Sequence, residues 1–179
     1  AIGVLGTGGR GTANHFNLTD DVDLIVGTFS KSLASIGGFV VGTSKVLDWI
    51  KHFGRSMMFS ASLPPASTAA ALAALDVLSE EPEWVAKLQS NASMLRDGLK
   101  ECGFDTGSSN TPIIPVTTGT EMNTVLFWKE LLEAGVYTNP VIYPVVPKGS
   151  GILRTSCMAT QTKDQIEYAI EQFSVVGRK

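Results

Sequence analysis

Apolar positions fall into two rhythms along the chain, and each rhythm predicts a different kind of element. Short apolar runs come first: "IGVL" (2–5), "VDLIV" (22–26) and "GGFVVGT" (37–43). The second reads as a buried strand, and the third has the β-branched content of one. From residue 44 the spacing lengthens. "SKVLDWIKHFG" places Val46, Leu47, Ile50 and Phe53 on one helical stripe, with Ser44 as N-cap and Gly54 as stop. "MMFSASLPP" is a short apolar run closed by two prolines, which cannot continue a central strand. The alanine-rich "ASTAAALAALDVLSEE" predicts a helix. A longer one follows Pro82, with Val85, Leu88, Ala92, Leu95 and Leu99 in step until Gly103.

Beyond Gly103 both rhythms mix. "TPIIPVTTG" predicts a strand, "EMNTVLFWKELLEAG" an amphipathic helix, and "VYTN" and "ILRTSCM" two more strands. "TKDQIEYAIEQFSVVG" predicts a last helix capped by Thr162. A β-α-β-β-α order suits a small α+β layer with its helices on one face. Phe127 and Trp128 fall on an amphipathic helix and are expected in its core.

Composition narrows the function classes. The chain has 179 residues, 44% of them hydrophobic and 17% charged, which allows a real core and excludes wholesale disorder. Fourteen Lys and Arg against seventeen Asp and Glu give a net charge of −3, which argues against nucleic acid as a partner. No apolar run approaches the roughly 18 residues of a membrane helix, so no integral membrane segment is expected. Cys102 and Cys157 form no CxxC pair and are read as reduced thiols, consistent with a cytoplasmic protein. With only His15 and His52, both read as structural or solvent-facing, no metal site is expected. The chain does not start with Met, and "AIGVLG" reads like the middle of a longer protein.

Two motifs carry candidate chemistry. "GTGGRG" matches GxGxxG at Gly6, Gly8 and Gly11, but a dinucleotide site needs a crossover helix starting at that loop. The ten residues "TANHFNLTDD" are too short for one, so an ordinary tight loop is expected. The second motif is "GTFSKSLASIGGF" (27–39). Lys31 stands alone among small residues where a strand ends, a place where ligands collect in α/β sheets. A lysine amine is a nucleophile toward carbonyl carbon when partly desolvated. Thr28 and Ser30 bring hydroxyls suited to a phosphate, and Gly37 and Gly38 would let the backbone pass close to a bulky ring. Spacing alone leaves an exposed loop lysine equally open.

These residues resemble the α-oxoamine synthases, pyridoxal-phosphate (PLP) enzymes of the aspartate-aminotransferase-like fold, fold type I. "GTFSKSLASIGGF" is similar to the family's cofactor-lysine segment. "GVLGTGGRGTANHF" resembles the stretch after its Asp-x-x-His element, "FSASLPP" its cross-subunit phosphate segment, and "NPVIYPVVPKGSGILRTSCMATQT" its C-terminal carboxylate-binding stretch. The matches keep the family's order over essentially the whole chain. The resemblance implies an α/β chain holding part of the large PLP-binding domain (1–63), connecting helices (64–103) and the small α+β domain (104–179).

It also implies roles. Lys31 aligns with the lysine that bonds to the cofactor aldehyde, and Thr28 with a phosphate contact. Ser60, with Ser62 a weaker candidate, aligns with a phosphate ligand given by the neighbouring subunit, hence a homodimer. Arg154 aligns with the arginine that grips the amino acid's carboxylate, a task suited to a planar guanidinium fork. The implied reaction is decarboxylative condensation of an amino acid with an acyl-CoA, best matched to L-serine and a long-chain acyl donor. Branches using glycine with acetyl-CoA, or making 8-amino-7-oxononanoate, are alternatives, as is a catalytically silent scaffold subunit. One departure stands out: the family's histidine seven residues after the arginine is Gln161 here. The family's ring-nitrogen aspartate and nearby histidine would precede Ala1, so weak cofactor binding and no activity are expected of these residues alone.

Overall fold

The computed structural model describes residues 1–177, which divide into two compact units at Val85/Ala86. The first unit opens with a glycine-rich loop rather than a strand. Ile2 makes only an isolated bridge to Arg10, because Gly3, Gly6, Gly8 and Gly9 all take positive φ and keep turning the chain. A one-turn helix, α1 (Thr12–His15), follows, and no crossover helix forms.

Strand β1 (Leu24–Thr28) then pairs antiparallel with β2 (Gly38–Gly42), from Leu24↔Gly42 to Thr28↔Gly38. The strand begins and ends two residues later than the apolar run. Thr28 is therefore its last residue. Helix α2 (Ser44–Phe53) has Thr43, not Ser44, at its N-cap position, and ends at Gly54, whose N–H donates to the Ile50 carbonyl at 2.8 Å. A single turn, α3 (Arg55–Met58), and the alanine-rich α4 (Pro65–Glu80), with proline in its first turn, complete the unit before α5 (Glu83–Glu101). Buried apolar side chains are few here: Leu33, Ala71 and Val85. Val26, Trp49, Phe53, Met57 and Phe59 are exposed.

The second unit follows the predicted order of elements, except that the strand expected at 136–139 forms at Asn139–Val141, where pairing with the strand Gly151–Ser156 sets its limits. Strands β3 (Ile113–Gly119), β4 (Asn139–Val141) and β5 (Gly151–Ser156) form an antiparallel sheet in the order β3-β5-β4. Helices α6 (Glu121–Glu133) and α7 (Lys163–Val176) join the C-terminal part of α5 around one core. Ile114, Val116 and Leu153 from the strands meet Leu99, Leu131, Ile166 and Phe173 from the helices. Phe173 packs edge-on against Phe104 and Phe127 at 5.7 and 5.6 Å between ring centroids, and Trp128 packs against the same cluster. Thr162 caps α7 in a reciprocal box with Gln165, as its sequence predicts.

Candidate functional site

The small residues around Lys31 are there to tie down the turn that carries it. Between β1 and β2 the backbone closes through Phe29 N–H to the Gly37 carbonyl (2.9 Å), Ser35 N–H to the Phe29 carbonyl (3.0 Å) and Ala34 N–H to the Lys31 carbonyl (3.1 Å). Four hydroxyls then fasten it. The Thr28 and Ser30 hydroxyls share a hydrogen bond of 2.8 Å, with Thr28 Oγ1 also donating to the Gly37 carbonyl. Ser32 donates to the carbonyl of Ile2, and Ser35 to that of Ser67 at 2.7 Å. Beneath the turn Leu33 is 1% exposed and plugs it from below. Lys31 itself is exposed, and its amine has no partner among the described residues.

Gly37 and Gly38 have a different purpose from the one their type suggested. Gly37 sits at φ +94°, and a Cβ there would run into Leu63. At Gly38 it would strike the Gly27 carbonyl. The clearance accommodates Leu63 and the Gly27 carbonyl.

Lys31 lines a cavity of about 460 Å³ together with Thr28, Ser32, Arg10 and Thr12, its apolar side including Ile2, Leu24 and Val26. It therefore offers a primary amine, hydroxyls and a guanidinium beside an apolar wall. Ser60 follows α3, outside any strand. It is exposed, with no hydrogen-bond partner among the described residues. His15 stacks edge-on with Phe16, and His52 pairs with the Asp48 carbonyl one helical turn away. Neither lines this cavity. No group of three His, Cys, Asp or Glu among the described residues could hold a metal.

In the second unit, Arg154 stands on β5, the central strand, in register with Pro115 and Asn139. Gly151, Leu153 and Thr155 turn inward, which leaves Arg154 on the exposed face. Its guanidinium has no ion-pair partner among the described residues. The loop after β5 is held by a residue that the sequence reading passed over. Asn91, 9% exposed on α5, donates its amide to the carbonyls of Met158 (3.0 Å) and Gln161 (3.1 Å). Gln161 closes the same loop by accepting from Met158 N–H at 2.9 Å. A polar residue inside the apolar stripe Leu88–Ala92–Leu95 was the available signal. Cys157, where this loop begins, has its thiol pushed up to about 11 by burial, with the Arg96 charge pulling it partly back.

The aminotransferase class I and II profile matches residues 1–173. The chain belongs to that family. Within it, the chain is 49% identical over 172 residues to the serine palmitoyltransferase (SPT) of Sphingobacterium spiritivorum, covering 96% of this chain and 43% of that protein. It is 42% identical to the 8-amino-7-oxononanoate synthase of Thermoanaerobacter pseudethanolicus, covering 100% of this chain and 45% of that one. A solved structure of SPT with a PLP internal aldimine is 35% identical and superposes with a TM-score of 0.94, over 99% of this chain and 45% of that one. This aminotransferase family member therefore has part of fold type I, and spans a little under half the length of the relatives it matches.

Proposed function

We propose that this chain is the C-terminal portion of a PLP-dependent α-oxoamine synthase that condenses L-serine with a long-chain acyl-CoA, as in sphingolipid synthesis. The observation that carries the reading is the fastened turn that presents an unpaired Lys31 beside a hydroxyl-lined cavity. The donor set fits PLP: an amine for its aldehyde, hydroxyls for its phosphate, and the apolar Leu24 and Val26 for its ring. When bound, PLP supplies an electron sink for charge developing at the amino acid's Cα.

The chain's own side chains do the rest. Lys31 would hold the cofactor through its aldehyde carbon and, once the amino acid's amine has displaced it, would move a proton at Cα. Thr28 holds the phosphate of its own subunit, and Ser60 that of the neighbour in a homodimer. Arg154 grips the carboxylate, orienting it for proton removal and decarboxylation. The exposed Trp49, Phe53, Met57 and Phe59 around the Ser60 segment favour that pairing, since apolar side chains clustered in this way mark interfaces. Greater identity to the SPT relative than to the oxononanoate synthase favours L-serine, and an unpaired Lys31 opposes a silent scaffold. Among the described residues no helix is long and apolar enough to cross a membrane. The free thiols of Cys102 and Cys157 favour a cytoplasmic enzyme.

The test uses a chain extended to the relatives' length, incubated with PLP and reduced with borohydride. Peptide mass mapping is expected to find the adduct on Lys31 and to lose it in Lys31→Ala. The visible absorbance of the loaded protein should respond to L-serine more strongly than to glycine or L-alanine. An adduct retained in Lys31→Ala overturns the role of Lys31; a response to glycine or alanine but not to L-serine overturns the substrate. The 179 residues alone should bind PLP weakly, since Thr28, Lys31 and Ser60 are all exposed.

A further inference from the structure

A cleft of about 780 Å³ opens in the second unit, and none of Thr28, Lys31, Ser60 or Arg154 lines it. It lies between α7, the approach to β4 and the end of β5, and its size is that of small-molecule sites. Its floor is apolar, with Leu95, Val136 and Phe173 all buried. The more exposed rings of Tyr137 and Tyr168 complete the lining.

Most polar groups around it are already satisfied, so the cleft is built before any ligand arrives. Tyr168 donates to the Ala134 carbonyl at 2.8 Å, and Thr155 to that of Ile114 at 2.8 Å. The side-chain carbonyls of Gln161 and Gln165 accept hydrogen bonds within their loop and cap. Thr138 is the buried exception. It lines the cleft, is 2% exposed, and its Oγ1 has no hydrogen-bond partner. Buried hydroxyls are normally paired, and one left unpaired in a cleft wall points to a partner supplied from outside. The hydroxyls of Ser156 and Thr160 also lack partners among the described residues and could extend the same polar edge.

Charge narrows the partner further. The lining has one carboxylate, Asp164, and no Lys, Arg or His, so an anion finds repulsion and no counter-charge. We propose that this cleft binds an uncharged aromatic molecule bearing an amide or hydroxyl group. The polar group pairs with Thr138 Oγ1, and the ring packs against Val136, Phe173 and the tyrosines. The proposal does not depend on the role of Lys31.

Benzamide and its anionic isostere benzoate test it on the full chain, labelled at threonine and methionine methyls for NMR. Benzamide is expected to shift the Thr138 and Met158 signals saturably, and benzoate to bind at least about tenfold more weakly. Thr138→Val, which keeps the shape and removes the hydroxyl, should weaken benzamide about five- to tenfold without lowering the melting temperature. Thr138→Ser should restore most of the affinity. The proposal fails if benzamide gives no saturable shift at those methyls, if benzoate binds as well, or if Thr138→Val binds benzamide unchanged.

Discussion

Replacing Asn91 should cost far more than its place within a helix suggests, and the cost should depend on pH in a way only its hydrogen bonds explain. Its amide donates two bonds, at 3.0 and 3.1 Å, to carbonyls that bracket the loop between β5 and α7. At about 1 kcal/mol net for each bond, Asn91→Ala should lose about 2 kcal/mol. Asn91→Asp is nearly isosteric but far worse. It aims a carboxylate oxygen at two carbonyl oxygens, in a position only 9% exposed, and should lose at least about 3 kcal/mol at pH 8.

Protonation would give the aspartate back one donor, so its native pKa must lie above the unfolded value of about 3.9. The native state then binds the proton more tightly. Stability of Asn91→Asp therefore rises as pH falls through the native pKa, while Asn91→Ala shows no such recovery. Urea denaturation followed by Trp128, in a Trp49→Phe/Trp84→Phe background, reads the second unit. A 2 kcal/mol loss lowers the midpoint by about 1 M for typical slopes. The reasoning fails if Asn91→Asp matches Asn91→Ala at pH 8, or if its midpoint does not rise relative to Asn91→Ala between pH 8 and pH 5.

Three further outcomes follow from the same packing and electrostatics. Phe173→Ala removes a ring that is 1% exposed and touches two others edge-on, and should destabilise the second unit by about 4 kcal/mol, measured by the same denaturation. Ellman's reagent at pH 8 should label the exposed Cys102 rapidly and Cys157 slowly, because burial pushes the Cys157 thiol to about 11; equal rates would contradict that burial. Asp105 accepts from Gly107 N–H and Thr117 Oγ1, which hold its pKa below the ordinary 3.8. Its stabilisation is present above that value and lost as pH falls through the lower native one, so the gap between wild type and Asp105→Ala should close on acidification below pH 3.8.

Which elements the sequence announced depended on how local their causes are. The helices spanning 44–53, 65–80, 83–101, 121–133 and 163–176 each carry an apolar stripe, a proline start or a capping hydroxyl within their own length. α3 has none of these. Its four residues, Arg55–Met58, are too few for a helical period to register, and the run they share with Phe59 and Leu63 masks the turn. The "IGVL" run is apolar but interrupted by Gly3, whose positive φ bends it out of any ladder. β1 lies two residues beyond the apolar run because its limits are set by pairing with β2, and a partner's register is invisible from one strand alone.

The lysine turn shows where residue type informs and where it misleads. Position, small neighbours and hydroxyls marked Lys31 out, but their reason is mechanical. Ser32 reaches Ile2 thirty positions away and Ser35 reaches Ser67 thirty-two away, contacts that exist only after the chain has folded back. The glycines carry the same lesson with the opposite sign. Gly37 and Gly38 were read as clearance for a ring, yet Leu63 and the Gly27 carbonyl fill the space. A small residue declares that something comes close without saying what. Lys31 differs because its side chain carries a reactive group and not only a size: three ties and a buried Leu33 hold its backbone while the amine is left without a partner among the described residues. Fastening a loop this firmly around an unpaired cation adds little to stability. That combination is a stronger argument for a covalent role than the glycines could supply.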